Sequence, residues 1–376
     1  MIIDRIIQDV KVQININESN EIYLPQYIVN KMKNDGIGGI INALYESLGK
    51  KYIPLSAFWE ITSRCNFNCP FCYIHNENSS IAHGKDWNKI IDFFVKQGLL
   101  YCTLSGGEAL LHPDFKEIYK RLKTSGVLVS VFTNGSLIDK DLIEIFTEYK
   151  PFKLEISLYG STDEVFRRVT QTKQSYLEKI KTDIIELKRR GVNVICKTPI
   201  TSLNEEDITN IRNWCNENEI EYYTGVELMP SYAGDDRTKY LASSSLIDSY
   251  RDESNQKFWQ NPDKVALVNA ECQIKKNFDC NGGKTEIFIS SQGELLPCMK
   301  GMYHTAWKFS VKELGLEKAY GMMLDKILKI KGTPLKYCNG CSHHKICNQC
   351  LMDYDENLEE VRKEYCKALA RFSDRV

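Results

Sequence analysis

Three cysteines, Cys65, Cys69 and Cys72, stand at the spacing C-x3-C-x2-C within a stretch running from Ile61 to Tyr73. Three thiolates on one short loop can ligate three irons of a [4Fe–4S] cube and leave the fourth iron open, because soft iron and sulfide are held by thiolates. An open iron can bind a small chelating ligand and pass an electron into it. Without context the same triplet also fits a zinc half-site or three buried core thiols.

A second group follows far downstream: Cys272, Cys280, Cys298, Cys338, Cys341, Cys347, Cys350 and Cys366. Cys280-x12-Gly293-x4-Cys298 frames a predicted hairpin, with strands over 285–290 and 294–296 and Ser291-Gln292-Gly293 as the turn. Cys338-x2-Cys341-x5-Cys347-x2-Cys350 then supplies paired units of the zinc-ribbon kind. Eight thiolates serve two tetrahedral zinc ions or two fully ligated [4Fe–4S] clusters, and spacing alone does not separate these. Cys102, Cys196 and Cys215 stand apart and read as buried structural thiols.

These residues need a scaffold, and periodicity supplies one. Strands are predicted at 55–62, 100–105, 127–132, 153–158, 192–198 and 220–226, with helices near 85–97, 113–125, 139–149, 174–190 and 205–218. Gly98, Gly126 and Gly191 fall where helix C-caps belong. Such alternation predicts βα repeats around a parallel sheet: an incomplete barrel of six units, or a doubly wound sheet. Either way, chemistry belongs on the loops at the strand C-termini. The cysteine triplet sits after the first strand, and Ser105-Gly106-Gly107-Glu108 ends the second. Thr133-Asn134-Gly135 reads as a turn after the third. On the fourth, Glu155 and Ser157 share one face, and Lys197-Thr198 ends the fifth.

Residues 1–52 form an N-terminal extension with a strand over Val10 to Ile16 and apolar segments at 27–32 and 40–48. It either caps the barrel or forms a small peptide-binding unit for a leader. The barrel is expected over 53–230, a bridging region over 231–271, and the cysteine-rich domain over 272–376. Of the charged side chains, 49 are basic and 50 acidic, a net charge of -1, so no global field steers nucleic acid or acidic lipid. No secretory signal or membrane-spanning run is visible, and a cytoplasmic protein with neither nucleic acid nor membrane as partner is expected. Fourteen cysteines in such a chain point to metal ligands or buried thiols rather than disulfides.

Taken together, the triplet (with Phe71 as its aromatic residue), the Gly-Gly-Glu strand end and the downstream cysteines resemble radical S-adenosylmethionine (SAM) enzymes with a C-terminal SPASM domain. The resemblance implies a partial (β/α)6 TIM barrel, the radical SAM core, with a small cysteine-rich SPASM domain carrying two auxiliary clusters. It implies that Gly106, Gly107 and Glu108 hold the amino group of SAM, Ser157 its ribose, and Arg168, of the pair Arg167-Arg168, its carboxylate. One auxiliary cluster would take Cys272, Cys280, Cys298 and Cys350; the other Cys338, Cys341, Cys347 and Cys366. The last pair, Cys347 and Cys350, is spaced by two residues where the family usually has three.

The cofactors so implied are three [4Fe–4S] clusters and SAM, with an electron donor such as flavodoxin or ferredoxin. The activity implied is an oxidoreductase acting on a ribosomal precursor peptide, installing a thioether or carbon–carbon crosslink. A sulfatase-maturing, formylglycine-generating enzyme is the alternative. Relatives of that kind carry an Asp directly after the hairpin's second cysteine, where this chain has Met299, which leaves Asp279 beside Cys280 as the candidate base. The alternative from another class is a non-enzymatic zinc-knuckle binding protein.

Overall fold

In the computed structural model the described residues are 2–8, 10–15, 22–32, 36–74, 84–229, 231–234, 236–250 and 280–329. The chain begins with strict alternation: β1 (Ile2–Ile7) and β2 (Val10–Asn15) pair antiparallel, with β3 (Ile22–Tyr23) beside β2. Ile7, Val10, Val12 and Ile14 turn to the buried face, as period-two patterning requires. Helices α1 (Gln26–Val29) and α2 (Ile37–Ser47) follow. Their shared core includes Leu55, Leu100 and Leu128, which lie where the first three barrel strands begin. The N-terminal unit therefore floors the barrel at its N-terminal end. Arg5, 8% exposed, fastens it by donating to the carbonyls of Leu99, Gly126 (3.2 Å) and Val95 (3.0 Å).

Six parallel strands follow: β4 (Ser56–Glu60), β5 (Tyr101–Ser105), β6 (Leu128–Thr133), β7 (Lys153–Ser157), β8 (Val194–Pro199) and β9 (Glu221–Gly225). They lie side by side in chain order without reversal. A doubly wound sheet reverses order at a switch point, so the observed order selects the barrel. Between the strands run α3 (Gly84–Gln97), α4 (Phe115–Thr124), α5 (Lys140–Glu148), α6 (Asp163–Thr170), α7 (Leu177–Arg189) and α8 (Ile208–Glu217). Trp59 on β4 packs against Trp87 and Phe94 of α3, one part of a continuous apolar layer between sheet and helices. Cys102, Cys196 and Cys215 lie in that layer, fully buried. Periodicity missed α6, whose eight residues make barely two turns between the end of β7 and the longer α7. Its signal was the cap: Thr162 accepts from the Val165 amide, and Asp163 and Glu164 favour the positive end of the helix dipole.

The hairpin formed by β10 (Glu286–Ile289) and β11 (Glu294–Leu296) appears where predicted. β10 adds in parallel to β4, Glu286 opposite Ser56 and Phe288 opposite Phe58, and β12 (Phe309–Ser310) closes the row. The C-terminal segment thus joins the barrel's own sheet. Inside the barrel, Phe58 stacks on Phe288 (5.7 Å) and meets Phe132 edge-on (5.6 Å). Lys197 pairs with Glu155 and lies over the Phe132 ring at 4.1 Å. No helix of the described residues is long and apolar enough to cross a membrane.

Candidate functional site

A cavity of about 630 Å³ opens at the C-terminal ends of the barrel strands. Cys65, Cys69 and Cys72 all line it, on the loop that leaves β4 and turns through a hydrogen bond from Cys72 N to Cys69 O (3.0 Å). Burial pushes the Cys65 thiol up to about 12 and raises Cys69 and Cys72 as well, with neighbouring thiolates adding to the rise at Cys65 and Cys69 and Glu60 adding to it at Cys72. Such thiols stay protonated until a cation draws them into thiolates, which is what metal ligation does. Among the described residues no three His, Cys, Asp or Glu side chains converge as a single ion demands. All three thiols instead line the one cavity, and a cluster in which each thiolate takes its own iron can be held there.

Gly106 and Gly107 line the same cavity. Gly106 adopts φ +145°, and a Cβ there would fall 2.2 Å from the Thr62 carbonyl oxygen. The amides of Gly107 and Glu108 donate to the carbonyls of Thr62 and Arg64, both at 2.8 Å. The glycines therefore let the end of β5 lie directly on the cysteine loop. Ser157 at the end of β7 also lines the cavity, as its strand face predicts.

Three other candidate residues, Glu108, Phe71 and Arg168, are not among those lining the cavity. The Glu108 side chain, 1% exposed, accepts from Thr133 Oγ1 (2.6 Å), Asn134 N (2.6 Å) and Leu110 N (3.0 Å). Its carboxylate braces β5 to β6 rather than lining the cavity; burial raises its pKa, and these hydrogen bonds oppose that. Phe71 packs with Val165 and Val169 in an apolar cluster under the loop, 6.1 Å from the Tyr159 ring. Arg168 lies on α6 with its guanidinium held by the Leu203 carbonyl (2.8 Å) and by Glu206.

Other residues stand at the cavity wall without having been singled out: Asn134, Gln171, Tyr73 and Arg237. Arg237 donates to the Pro70 carbonyl and to Ser231 Oγ (3.2 Å), and its charge favours the thiolate at Cys72. It comes from the bridging region, whose sequence has no periodicity to reveal it. Behind the loop, Glu60 ends β4 fully buried, accepting from the Tyr232 hydroxyl (3.0 Å), and burial lifts its carboxyl to about 8.

Of the downstream cysteines, Cys280 and Cys298 are described. A Cβ on Gly282 would stand 3.4 Å from Cys280 Sγ and 3.6 Å from Cys298 Cβ, so the hairpin brings the pair together. Gly282 N donates to Cys280 Sγ (3.3 Å). Cys272, Cys338, Cys341, Cys347, Cys350, Cys366 and Asp279 lie outside the described residues.

A parallel partial barrel with three thiols, a glycine doublet and a serine gathered at its strand C-termini is the architecture of a cofactor-binding barrel enzyme. Residues 59–215, the barrel from β4 into α8, match the radical SAM superfamily. It is 25% identical over 349 residues to the antilisterial bacteriocin subtilosin biosynthesis protein AlbA of Bacillus subtilis, covering 82% of this chain and 73% of that protein. It is 21% identical over 314 residues to a PqqA peptide cyclase of Xanthomonas oryzae, covering 78% and 81%. The fold is that of Streptococcus suis SuiB bound to S-adenosylmethionine, with TM-score 0.64, 17% identity and coverage of 94% and 95%. It also matches anSMEcpe with bound AdoMet, with TM-score 0.54, 15% identity and coverage of 86% and 96%.

Proposed function

We propose that this protein is a peptide maturase of the SPASM class that installs a thioether or carbon–carbon crosslink in a ribosomal precursor peptide. The observation that carries the reading is the single cavity shared by Cys65, Cys69, Cys72, Gly106, Gly107 and Ser157. Its support is the similarity to a bacteriocin biosynthesis protein and a peptide cyclase, and a fold shared with SuiB, solved in complex with the precursor peptide SuiA.

A [4Fe–4S] cluster on the three thiolates, with SAM beside it, would supply one-electron cleavage of the sulfonium and a radical able to take a hydrogen atom from substrate. The chain's own residues do the rest. The exposed backbone edge at Gly106 and Gly107 offers carbonyls to an ammonium group. Ser157 offers a hydroxyl to a ribose, and Arg237, already at the wall, replaces Arg168 as the group that meets a carboxylate. The phenylalanines inside the barrel and the N-terminal floor keep water from the reacting centre. Cys280 and Cys298, held together by the hairpin, would be shared ligands of an auxiliary cluster with Cys272 and Cys350. Flavodoxin or ferredoxin would deliver electrons. The unit over residues 1–52 sits at the barrel end opposite the cavity, and its role here is to close that end.

Anaerobic protein incubated with reductant, SAM and the precursor peptide of a neighbouring small open reading frame should yield 5′-deoxyadenosine and a peptide lighter by two hydrogens per link. SAM consumption with an unchanged peptide mass would overturn the crosslinking assignment.

A further inference from the structure

Asn134 does more than make the turn its Asn-Gly sequence suggests. It is 6% exposed, lines the cavity, and its side-chain amide has one allowed orientation. The Ser136 backbone N–H can only donate, and it points at Asn134 Oδ1 at 3.0 Å; the Ser136 hydroxyl donates to the same oxygen at 2.7 Å. The NH2 end must therefore face the other way, where it finds Asn66 Oδ1 at 2.9 Å and Cys65 Sγ at 3.9 Å. Asn66 Nδ2 returns to Ser136 Oγ at 2.8 Å. Three side chains thus form a closed ring of hydrogen bonds. One amide proton of Asn134 is left over, and it is the one aimed at sulfur.

The ring is itself anchored. Glu108 accepts from the Asn134 backbone N–H and from Thr133 Oγ1, both at 2.6 Å, and Thr133 Oγ1 accepts from Gly135 N at 3.0 Å. This gives a task to the buried carboxylate that the ligand cavity does not use. It holds the third strand's turn against the cysteine loop.

We infer that Asn134 tunes the reduction potential of the cluster held at Cys65, with Glu108 and Ser136 as the residues that position it. An amide proton on a ligating sulfur withdraws charge from that thiolate. It favours the more negative, reduced cluster and raises the potential. The inference rests on the three-cysteine assignment above and concerns the potential, not the identity, of the group bound there.

The test is an anaerobic redox titration of the full-length protein, without SAM or peptide, followed by electron paramagnetic resonance. The signal absent from Cys69→Ala identifies the relevant cluster. Asn134→Ala should keep that signal and shift its midpoint to lower potential. Ser136→Ala, which opens the ring by removing the hydroxyl that bonds Asn134 Oδ1 and Asn66 Nδ2 but keeps the backbone N–H that orients the amide, should shift it the same way by less. Glu108→Gln should also lower it by displacing the turn. Ser136→Thr, which keeps the hydroxyl, should restore the native value. A midpoint unchanged in both Asn134→Ala and Ser136→Ala, with the signal present, overturns the inference. If no signal depends on Cys69, the cluster assignment itself fails instead.

Discussion

Gly107 and Ser63 stand so close that no methyl group fits between them: a Cβ on Gly107 would lie 2.5 Å from the Ser63 carbonyl oxygen. The end of one barrel strand is laid against the backbone of the loop that follows its neighbour. Gly107→Ala must push the cysteine loop away, at a cost of about 1–3 kcal/mol. A lower urea midpoint, together with fewer irons retained per chain, is the expected outcome.

Arg168 and Arg237 separate by a binding measurement. Arg237→Ala should weaken SAM binding about tenfold, the loss of about 1.4 kcal/mol expected of a charge-assisted contact. Arg168→Ala should leave the affinity within twofold, because its guanidinium is spent on Leu203 and Glu206. Equilibrium dialysis with labelled SAM on iron-loaded protein reads both. The reverse ranking would return the carboxylate contact to α6.

Glu60 gives a pH signature. The folded chain keeps its carboxyl protonated up to about 8, while the unfolded chain releases that proton near 4.5. Between these values the folded state binds more protons, so stability falls as pH rises and levels off above about 8. Glu60→Gln removes this slope. Denaturation of wild type and variant at the two ends of the window should show the variant gaining relative stability toward the alkaline end.

Arg5→Met tests the floor of the barrel. It leaves the carbonyls of Val95, Leu99 and Gly126 without their buried donor, a cost of about 1–3 kcal/mol. The thermal midpoint should drop while iron binding at the far end of the barrel is retained. Loss of iron at full stability would show that the unit reaches the site.

The barrel was readable because each βα repeat repeats one signal. Strand runs of alternating or apolar residues end at chemistry-bearing loops, and the helices show long apolar stripes. That Gly106, Gly107, Ser157 and the cysteine triplet line one cavity was legible because it follows from backbone position at strand ends. The places of Glu108, Phe71 and Arg168 were not, since side-chain direction depends on neighbours. Glu108 turns inward because Thr133 and Asn134 offer it three donors' worth of company with Leu110. Arg168 turns outward because a short helix, marked only by its Thr162 cap, carries it to Glu206. Arg237 and the Asn134 ring come from segments without periodicity, where only the folded chain shows what lies together.

The pairing of Glu286 with Ser56 has a consequence for biogenesis. β4 emerges from the ribosome among the first barrel strands, yet one of its edges waits about 230 residues for its partner, some 10–50 s at ordinary rates of synthesis. Throughout that interval a bare strand edge is available to any other nascent chain. Polypeptides cut short before the hairpin should accumulate as insoluble material, and slowing translation downstream should lower the yield of native protein.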